Sequence, residues 1–396
     1  MQKQKIINDP LLGFLTVPQG ILLEICNHKY FQRLRHIVQM GLSMYVYPGA
    51  VHTRLNHSLG CLMLMREAIS TLKAKGVEVS SLEEKAVCVA ILLHDIGHGP
   101  FSHVLERIII PTMSHEEFSL RIMEELEASS STASADILKT AILIFKNGYH
   151  RPFLHQLISS QLDIDRLDYL NRDSFYTGVA EGAVGAQRII RMMNVKDDQL
   201  VLEEKAIYSL EKFILSRRLM YMQVYLHKTS LGAERLLIES VKRARKLMLD
   251  GVPVFANEHL HFFLENKYDG ESLETVLQHY LALDDNDIWT ALKEWSNHKD
   301  KILSTFSNSL LQRKLFKSVL QAVPFEEKML SDLRCRFGDE FVITEEVPVK
   351  IYKAGSGGIH ILQKSGYVTD ITELSDLINY EFANKKELKY LLCYPK

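Results

Sequence analysis

The chain has 396 residues, 46% of them hydrophobic, which supplies a large core and excludes a disordered polypeptide. Its 47 basic and 49 acidic residues leave a formal charge of −2, so no global basic field draws it to nucleic acid or membrane, and any anion it binds is held by a local site. Cys26, Cys61, Cys88, Cys335 and Cys393 are widely spaced, with no CxxC pair. That spacing argues against a disulfide framework or a cysteine zinc site, and for reduced thiols in a cytoplasmic protein. The N-terminus lacks the apolar stretch of a signal peptide. Apolar runs such as 86–93 fall far short of the ~20 residues a membrane span needs.

Helical periodicity dominates from Gln19 to about Leu320. An isolated short strand is expected at Met44–Tyr47, closed by Pro48 and Gly49. Leu59, Leu62, Met63, Met65 and Ile69 recur at helical spacing. Glu84–His94 reads as a buried helix, apolar on most sides. Ser114 is placed to cap a third helix with acids in its first turn, and a serine-rich interruption at 129–134 follows. Leu154–Asn171 and Ser209–Leu226 read as long helices. Strand signals are weak before 340. The stretches 341–353 and 358–364 then read as two strands joined by a glycine-rich turn, followed by a helix near Ile371–Ile378 and an amphipathic segment to Tyr394. The expected organisation is mainly α: a helical core over 1–250, a helical extension over 251–324 and a small α+β lobe over 325–396.

The stretch 94–103 carries the chemistry. It holds His94, Asp95, His98 and His103 directly after the buried helix, with Gly97, Gly99 and Pro100 stopping regular continuation. Neighbouring residues on a helix point about 100° apart, so a metal site built on His94 and Asp95 needs ligands from elsewhere. His57 and Asp165 are the candidates. Imidazole and carboxylate together suit a borderline or hard divalent ion such as Mn, Fe, Zn or Mg. Such an ion polarises a phosphoryl oxygen, and the donor set therefore points to hydrolysis of a phosphoester or phosphoanhydride.

The order His57, His94-Asp95, Asp165 resembles the HD-domain phosphohydrolase superfamily. More specifically, the chain resembles the deoxynucleoside triphosphate (dNTP) triphosphohydrolases, closest to the subgroup that pairs a sterile alpha motif with an HD domain, of which the catalytic domain alone is expected here. The segments that carry the likeness include 31–35, 45–50, 52–58, 94–103, 114–117, 163–173 and 225–228, within residues 9 to 250.

The resemblance implies an HD-domain helical core whose divalent metal (Mn, Fe, Mg, Zn or Ni) is held by His57, His94, Asp95 and Asp165. It implies active-site roles for His98, His103 and His115, with His103 as the acid to the leaving 5′-oxygen and Glu116 and Glu106 as supporting carboxylates. Arg54, Arg166 and Arg217 match phosphate-binding positions. Tyr169, Asp173 and Tyr225 match residues around the deoxyribose, and Gln39 one near the 3′-hydroxyl. The implied reaction is attack of water on the α-phosphorus of a dNTP, releasing a deoxynucleoside and tripolyphosphate. A homo-oligomer, dimer or tetramer, is expected. Two positions depart from the pattern. Leu226 replaces a nucleoside-contacting glutamine, and Asn27 replaces the guanine-reading aspartate of a regulatory site that Gln32, Arg35, His227 and Lys228 otherwise match. The basic segment Lys242–Lys246 reads as a solvated helix face rather than a nucleic-acid site. The alternative reading is an HD phosphohydrolase or phosphodiesterase acting on a nucleoside monophosphate, ppGpp or a cyclic nucleotide. A binding module with a structural metal is a further alternative.

Overall fold

The computed structural model describes residues 5–349, 357–379 and 387–396. Helix α1 (Arg54–Ala74) opens where Asn56 accepts from the Thr53 amide. Helix α2 (Ser81–Leu93) opens at a reciprocal pair between Ser80 and Glu83. Helix α3 (His115–Ala128) opens at the Ser114 cap that the sequence predicts, paired with Glu117. Such bonds occupy the amides that a first helical turn leaves unpaired. Helix α2 is buried on every side from Ala86 to Leu93, because it runs between α1 and α4 (Thr132–Phe145). Helix α5 (Ile164–Thr177) packs on α1. That packing turns the end of α2 towards the start of α1 and the first turn of α5, where the candidate ligands lie.

Further helices include α6 (Ile207–Met220), α7 (Lys228–Leu249), α8 (Asp285–Trp295) and α9 (Lys301–Leu311). Among the described residues three small sheets accompany these helices. β1 (Lys5–Asp9) and β2 (Gly13–Val17) form a hairpin. β3 (Met193–Lys196) and β4 (Gln199–Glu203) are extended by β7 (His360–Leu362) and β8 (Val368–Asp370), with β7 parallel to β4. In the third sheet β9 (Glu387–Tyr394) lies between β5 (Lys317–Gln321) and β6 (Ile343–Val349). No helix is long and apolar enough to cross a membrane among the described residues. All five cysteines are free thiols.

Several local expectations are corrected. Residues 41–45 form a 3-10 helix rather than a strand at 44–47, since Tyr45 is held by its hydroxyl on the Leu310 carbonyl at 2.7 Å instead of by a strand partner. Among the described residues five strands precede residue 340. The stretches around 343–349 and 360–362 do not pair with each other; each joins a strand distant in sequence. The joining segment 350–356 lies outside the described residues. The expected long helix over 154–171 is two, Pro152–Gln156 and α5, because Asp163 ends the intervening turn by capping α5 through the Arg166 amide. The helix over 371–378 spans only Ile371–Leu374, and the final amphipathic segment is strand β9. In the basic segment, Arg243 binds Asp300 and Arg245 donates to the Ile108 carbonyl at 2.6 Å. Lys242 and Lys246 are exposed, Lys242 with its ammonium 2.8 Å from Glu239.

Asp285, at the start of α8, holds two loops together. Its carboxylate accepts from the Val38 amide at 2.9 Å and the Phe101 amide at 2.7 Å. This anchors Phe101 and Ser102, both in the left-handed region with φ of 55° and 54°, a conformation that costs a non-glycine residue about 1–3 kcal/mol and persists only where surroundings enforce it. Burial pushes the Asp285 carboxyl up to about 6, against the pull of the two amides. A folded pKa above the unfolded value of about 3.9 means that the folded state holds the proton longer, so this group's contribution declines as pH rises. The stability difference between wild type and Asp285→Asn, from urea denaturation at each pH, is expected to fall by up to about 3 kcal/mol between pH 4 and 6. A constant or rising difference would contradict this.

Candidate metal centre and active site

His94 and Asp95 stand in the turn that ends α2. Gly97 is required there, because its Cα lies against the backbone of His115 and Ser119 and leaves no room for a Cβ. Its amide donates to Ser119 Oγ at 3.0 Å, and that hydroxyl donates to the His94 carbonyl at 2.8 Å. The Tyr280 hydroxyl donates to the Gly97 carbonyl at 3.0 Å. The turn is therefore tied to α3 and to Tyr280.

His57 and His94 are oriented from behind. His57 Nδ1 lies 2.8 Å from Asp168 Oδ2, and His94 Nδ1 lies 2.7 Å from the Ile91 carbonyl. Both acceptors claim the Nδ1 proton, which leaves Nε2 of each ring as the free donor atom. The two Nε2 atoms are 3.3 Å apart. Asp165 Oδ1 lies 3.1 Å from one and 3.6 Å from the other. Asp95 contributes Oδ1 at 3.4 Å from His94 and Oδ2 at 3.6 Å from His57. Ligand atoms on adjacent corners of a six-coordinate ion with bonds of about 2.1 Å stand about 3.0 Å apart, and the four side chains suit that spacing.

The electrostatics agree. Burial opposes charge on Asp95 and Asp165. Yet Arg54, His94 and His98 hold Asp95 well below the usual carboxylate range, and His57 and His94 do the same for Asp165. Burial would lower His57 and His94, but the hydrogen-bonded carboxylates Asp165 and Asp168 raise the first, and Asp95 with Asp165 the second. The cluster gathers positive charge at its centre, as a divalent cation would provide. Cys61, one helical turn after His57, places its Sγ 3.6 Å from both ring nitrogens. Burial raises this thiol far above its ordinary range, so it lines the cluster as a neutral group.

Beside this cluster, nitrogens of His98, His103 and His115 fall within 4.8 Å of one another. The rings of His98 and His115 stack at 4.0 Å. His98 Nε2 lies 3.4 Å from Asp95 Oδ1. Glu106 bridges the other two histidines, to His115 Nδ1 at 2.8 Å and His103 Nδ1 at 3.1 Å. Burial alone would raise Glu106, but these bonds hold it well below the usual range. Glu116 lines the same cavity, is exposed, and takes no hydrogen bond from a described histidine. Of the two carboxylates, Glu106 is the one in contact with these histidines.

A cavity of about 570 Å³ joins these groups, within the range of small-ligand sites. Asp95, Asp165, His98, His103 and His115 reach its wall, and so do Gln39, Arg54, Tyr169, Asp173 and Tyr225. Arg54 Nε donates to Ser102 Oγ at 2.7 Å, and its Nη1 pairs with Asp95. Asp173 accepts from the Tyr225 hydroxyl and meets His52 Nε2, each at 2.7 Å. Arg166 and Arg217 do not line the cavity. Arg166 pairs with Asp163, and Arg217 donates to Gln161 at 3.2 Å. Both still bear on Tyr169, whose phenol burial raises while these two guanidinium groups lower it. At the positions matching a regulatory site, Asn27 accepts from Lys5 at 2.9 Å, Arg35 donates to Gln32 at 2.7 Å, and His227 caps α7.

Reasoning from the sequence missed Asp168 and the Arg172 that donates to it at 2.8 Å, Cys61, and Glu234, which lines the cavity. The first pair was signalled by its i, i+4 spacing three residues after Asp165. Cys61 was signalled by its i, i+4 spacing from His57. Glu234 carried no signal, since a lone acid on an amphipathic helix reads as solvated.

Comparisons with known proteins agree with this geometry. The HD domain model matches residues 54–173, and the HD associated region matches 184–261. The crystal structure of a phosphohydrolase from Bacteroides thetaiotaomicron superposes with a TM-score of 0.94 at 48% identity, covering 100% of both chains. The uncharacterized protein YwfO of Bacillus subtilis is 30% identical over 100% of this chain and 93% of its own length. The deoxynucleoside triphosphate triphosphohydrolase SAMHD1 homolog of Dictyostelium discoideum is 31% identical over 62% of this chain, which spans only 51% of that relative. The chain belongs to the HD-domain phosphohydrolase family, as an enzyme with deoxynucleoside triphosphate triphosphohydrolases among its relatives.

Proposed function

We propose that the chain hydrolyses dNTPs to a deoxynucleoside and tripolyphosphate. The observation that carries this reading is the shared cavity, where the metal-competent cluster and the histidine group meet two tyrosines, an aspartate and a glutamine suited to a deoxyribose. A divalent cation held by His57, His94, Asp95 and Asp165 would supply Lewis-acid polarisation of the phosphoryl group.

The other roles fall to the chain's own groups. Arg54 is the cation on the wall, and a guanidinium matches phosphate oxygens in a fork. Arg166 and Arg217 stand behind the wall, on Asp163 and Gln161, and contribute positive charge beside Tyr169. Gln39 Oε1 is buried and unpartnered, and it can accept from a 3′-hydroxyl. Tyr169 and Tyr225, their rings 6.4 Å apart, flank the sugar, with Asp173 fixing the second ring. Water adds to the α-phosphorus as the 5′-oxygen departs. His103 gives that oxygen its proton from Nε2, its Nδ1 being held by Glu106. Holding a long anion in line is the larger part of the catalytic task. A cytoplasmic homo-oligomer, dimer or tetramer, is part of this reading.

Phosphorus NMR of each dNTP incubated with the protein and Mn, Mg or Fe tests it. Tripolyphosphate is the expected product, with the oxygen of labelled water appearing in it and not in the nucleoside. Orthophosphate or pyrophosphate instead, or a ribonucleotide cleaved as fast as its deoxy analogue, would move the assignment to another nucleotide class such as a monophosphate, ppGpp or a cyclic nucleotide.

A further inference from the structure

Helix α7 packs on the 3-10 turn Gly41–Tyr45 and brings Glu234, Arg235 and Ile238 to the wall of the same cavity. The two charged neighbours are in different situations. Arg235 gives its guanidinium to Glu345 of β6 at 2.5 Å. Glu234 is half-buried and receives no hydrogen bond and no ion pair from a described residue. Burial pushes its carboxyl up to about 7, against the field of Arg235. A partly desolvated carboxyl without donors is unfavourable unless something else supplies them.

The reading of the site limits what that donor can be. With the α-phosphorus at the metal-competent cluster and the sugar between Tyr169 and Tyr225, two ends of the nucleotide remain to be placed: the phosphate chain and the base. A phosphate chain is all acceptor and negative, so a carboxyl repels it. The base is the end that can donate. Two N–H donors facing the Glu234 carboxyl favour its ionised form, which is acceptor-only with two oxygens side by side. Guanine presents N1–H and N2–H₂ side by side, whereas thymine presents a single N3–H between two carbonyl oxygens that a carboxylate repels.

We propose that Glu234 is a specificity-determining residue of the substrate site, accepting hydrogen bonds from the N1–H and N2–H₂ donors of a guanine base. This rests on the reading of the cavity as a dNTP site. Arg235, locked to β6, fixes the turn of α7 that carries Glu234 and thereby ties the C-terminal strands to base selection.

The test uses the α,β-imido analogues of dGTP and dTTP in equilibrium binding to wild type, Glu234→Gln and Glu234→Asp, with tripolyphosphate release from the natural dNTPs measured alongside. Wild type is expected to bind the guanine analogue more tightly. In Glu234→Gln the guanine-over-thymine ratio is expected to fall about 10-fold or more, the scale on which a two-point base contact discriminates. Glu234→Asp, which keeps the charge but retracts it, lowers the ratio as well. A wild type that binds both analogues equally, or a ratio that Glu234→Gln leaves alone, overturns the assignment, and the wild-type ranking decides should a variant fail to fold. The two readings separate cleanly. Tripolyphosphate release with a ratio indifferent to Glu234 removes this assignment alone. A Glu234-dependent guanine preference without tripolyphosphate removes the proposed reaction alone. Absence of binding by either analogue removes both.

Discussion

Asp165→Asn is expected to strip the protein of its divalent metal and of its phosphohydrolase activity together. A single carboxylate oxygen, Asp165 Oδ1, faces both Nε2 atoms, at 3.1 and 3.6 Å, and the substitution removes its charge with almost no change of volume. Partners that only orient a ligand cost 10–100-fold in metal affinity, so loss of a ligand is expected to cost at least about 100-fold. Lewis-acid stabilisation of several kcal/mol corresponds to a rate loss on the order of 10³-fold. Metal content by plasma mass spectrometry after gel filtration reads the first effect independently of turnover. Wild-type metal content in the variant would remove Asp165 from the ligand set. A normal melting curve for the variant would show that the fold is not the cause of any loss, since Asp165 is the most exposed of the four side chains, at 28%.

Arg172→Leu is expected to destabilise the protein by about 3–5 kcal/mol, the scale for breaking a buried ion pair from one side. Arg172 is fully buried. It donates to Asp9 Oδ2 at 2.8 Å and to both oxygens of Asp168, at 2.8 and 2.9 Å. The same Asp168 oxygen that takes Arg172 Nε also orients His57. Leucine would leave two buried carboxylates without a counter-charge and release Asp168 from its position. A second effect follows, a 10–100-fold loss of metal affinity, because His57 loses the contact that directs its Nε2. Urea denaturation and metal titration measure the two separately. A change below about 1 kcal/mol would show that the Asp9–Arg172–Asp168 network is not the support of the centre. Gly60 belongs to the same device. A Cβ there would collide with the Asp168 and Arg172 side chains, so the network needs a glycine on α1 to pass.

The amino-acid sequence by itself determined the parts of this protein whose cause is local. The capping pair at Ser114 and the apolar repeat of α1 and α2 act within a few residues, and residue type and periodicity read them directly. The crowding of His94, Asp95, His98 and His103 into ten residues was equally visible, as was the run 163–173, which holds one carboxylate in the cluster and one on the cavity wall. The tertiary structure decided what depends on partners far along the chain. Strand β9 is amphipathic in sequence, and only its place between β5 and β6 makes it a strand. Strand β7 pairs with β4 across more than 150 residues, and no local turn announces that pairing, because a parallel partner can lie anywhere in the chain. The same holds within the site. Glu106 rather than Glu116 meets the histidines, because α3 enters with His115 pointing back at the short helix Glu106–Ile109. Arg166 and Arg217 are turned to Asp163 and Gln161, while Glu234, unremarkable on its helix, is brought to the cavity wall by the packing of α7. Residue type and spacing establish which chemistry is available. The direction of each side chain is set by packing, which a single sequence does not encode locally.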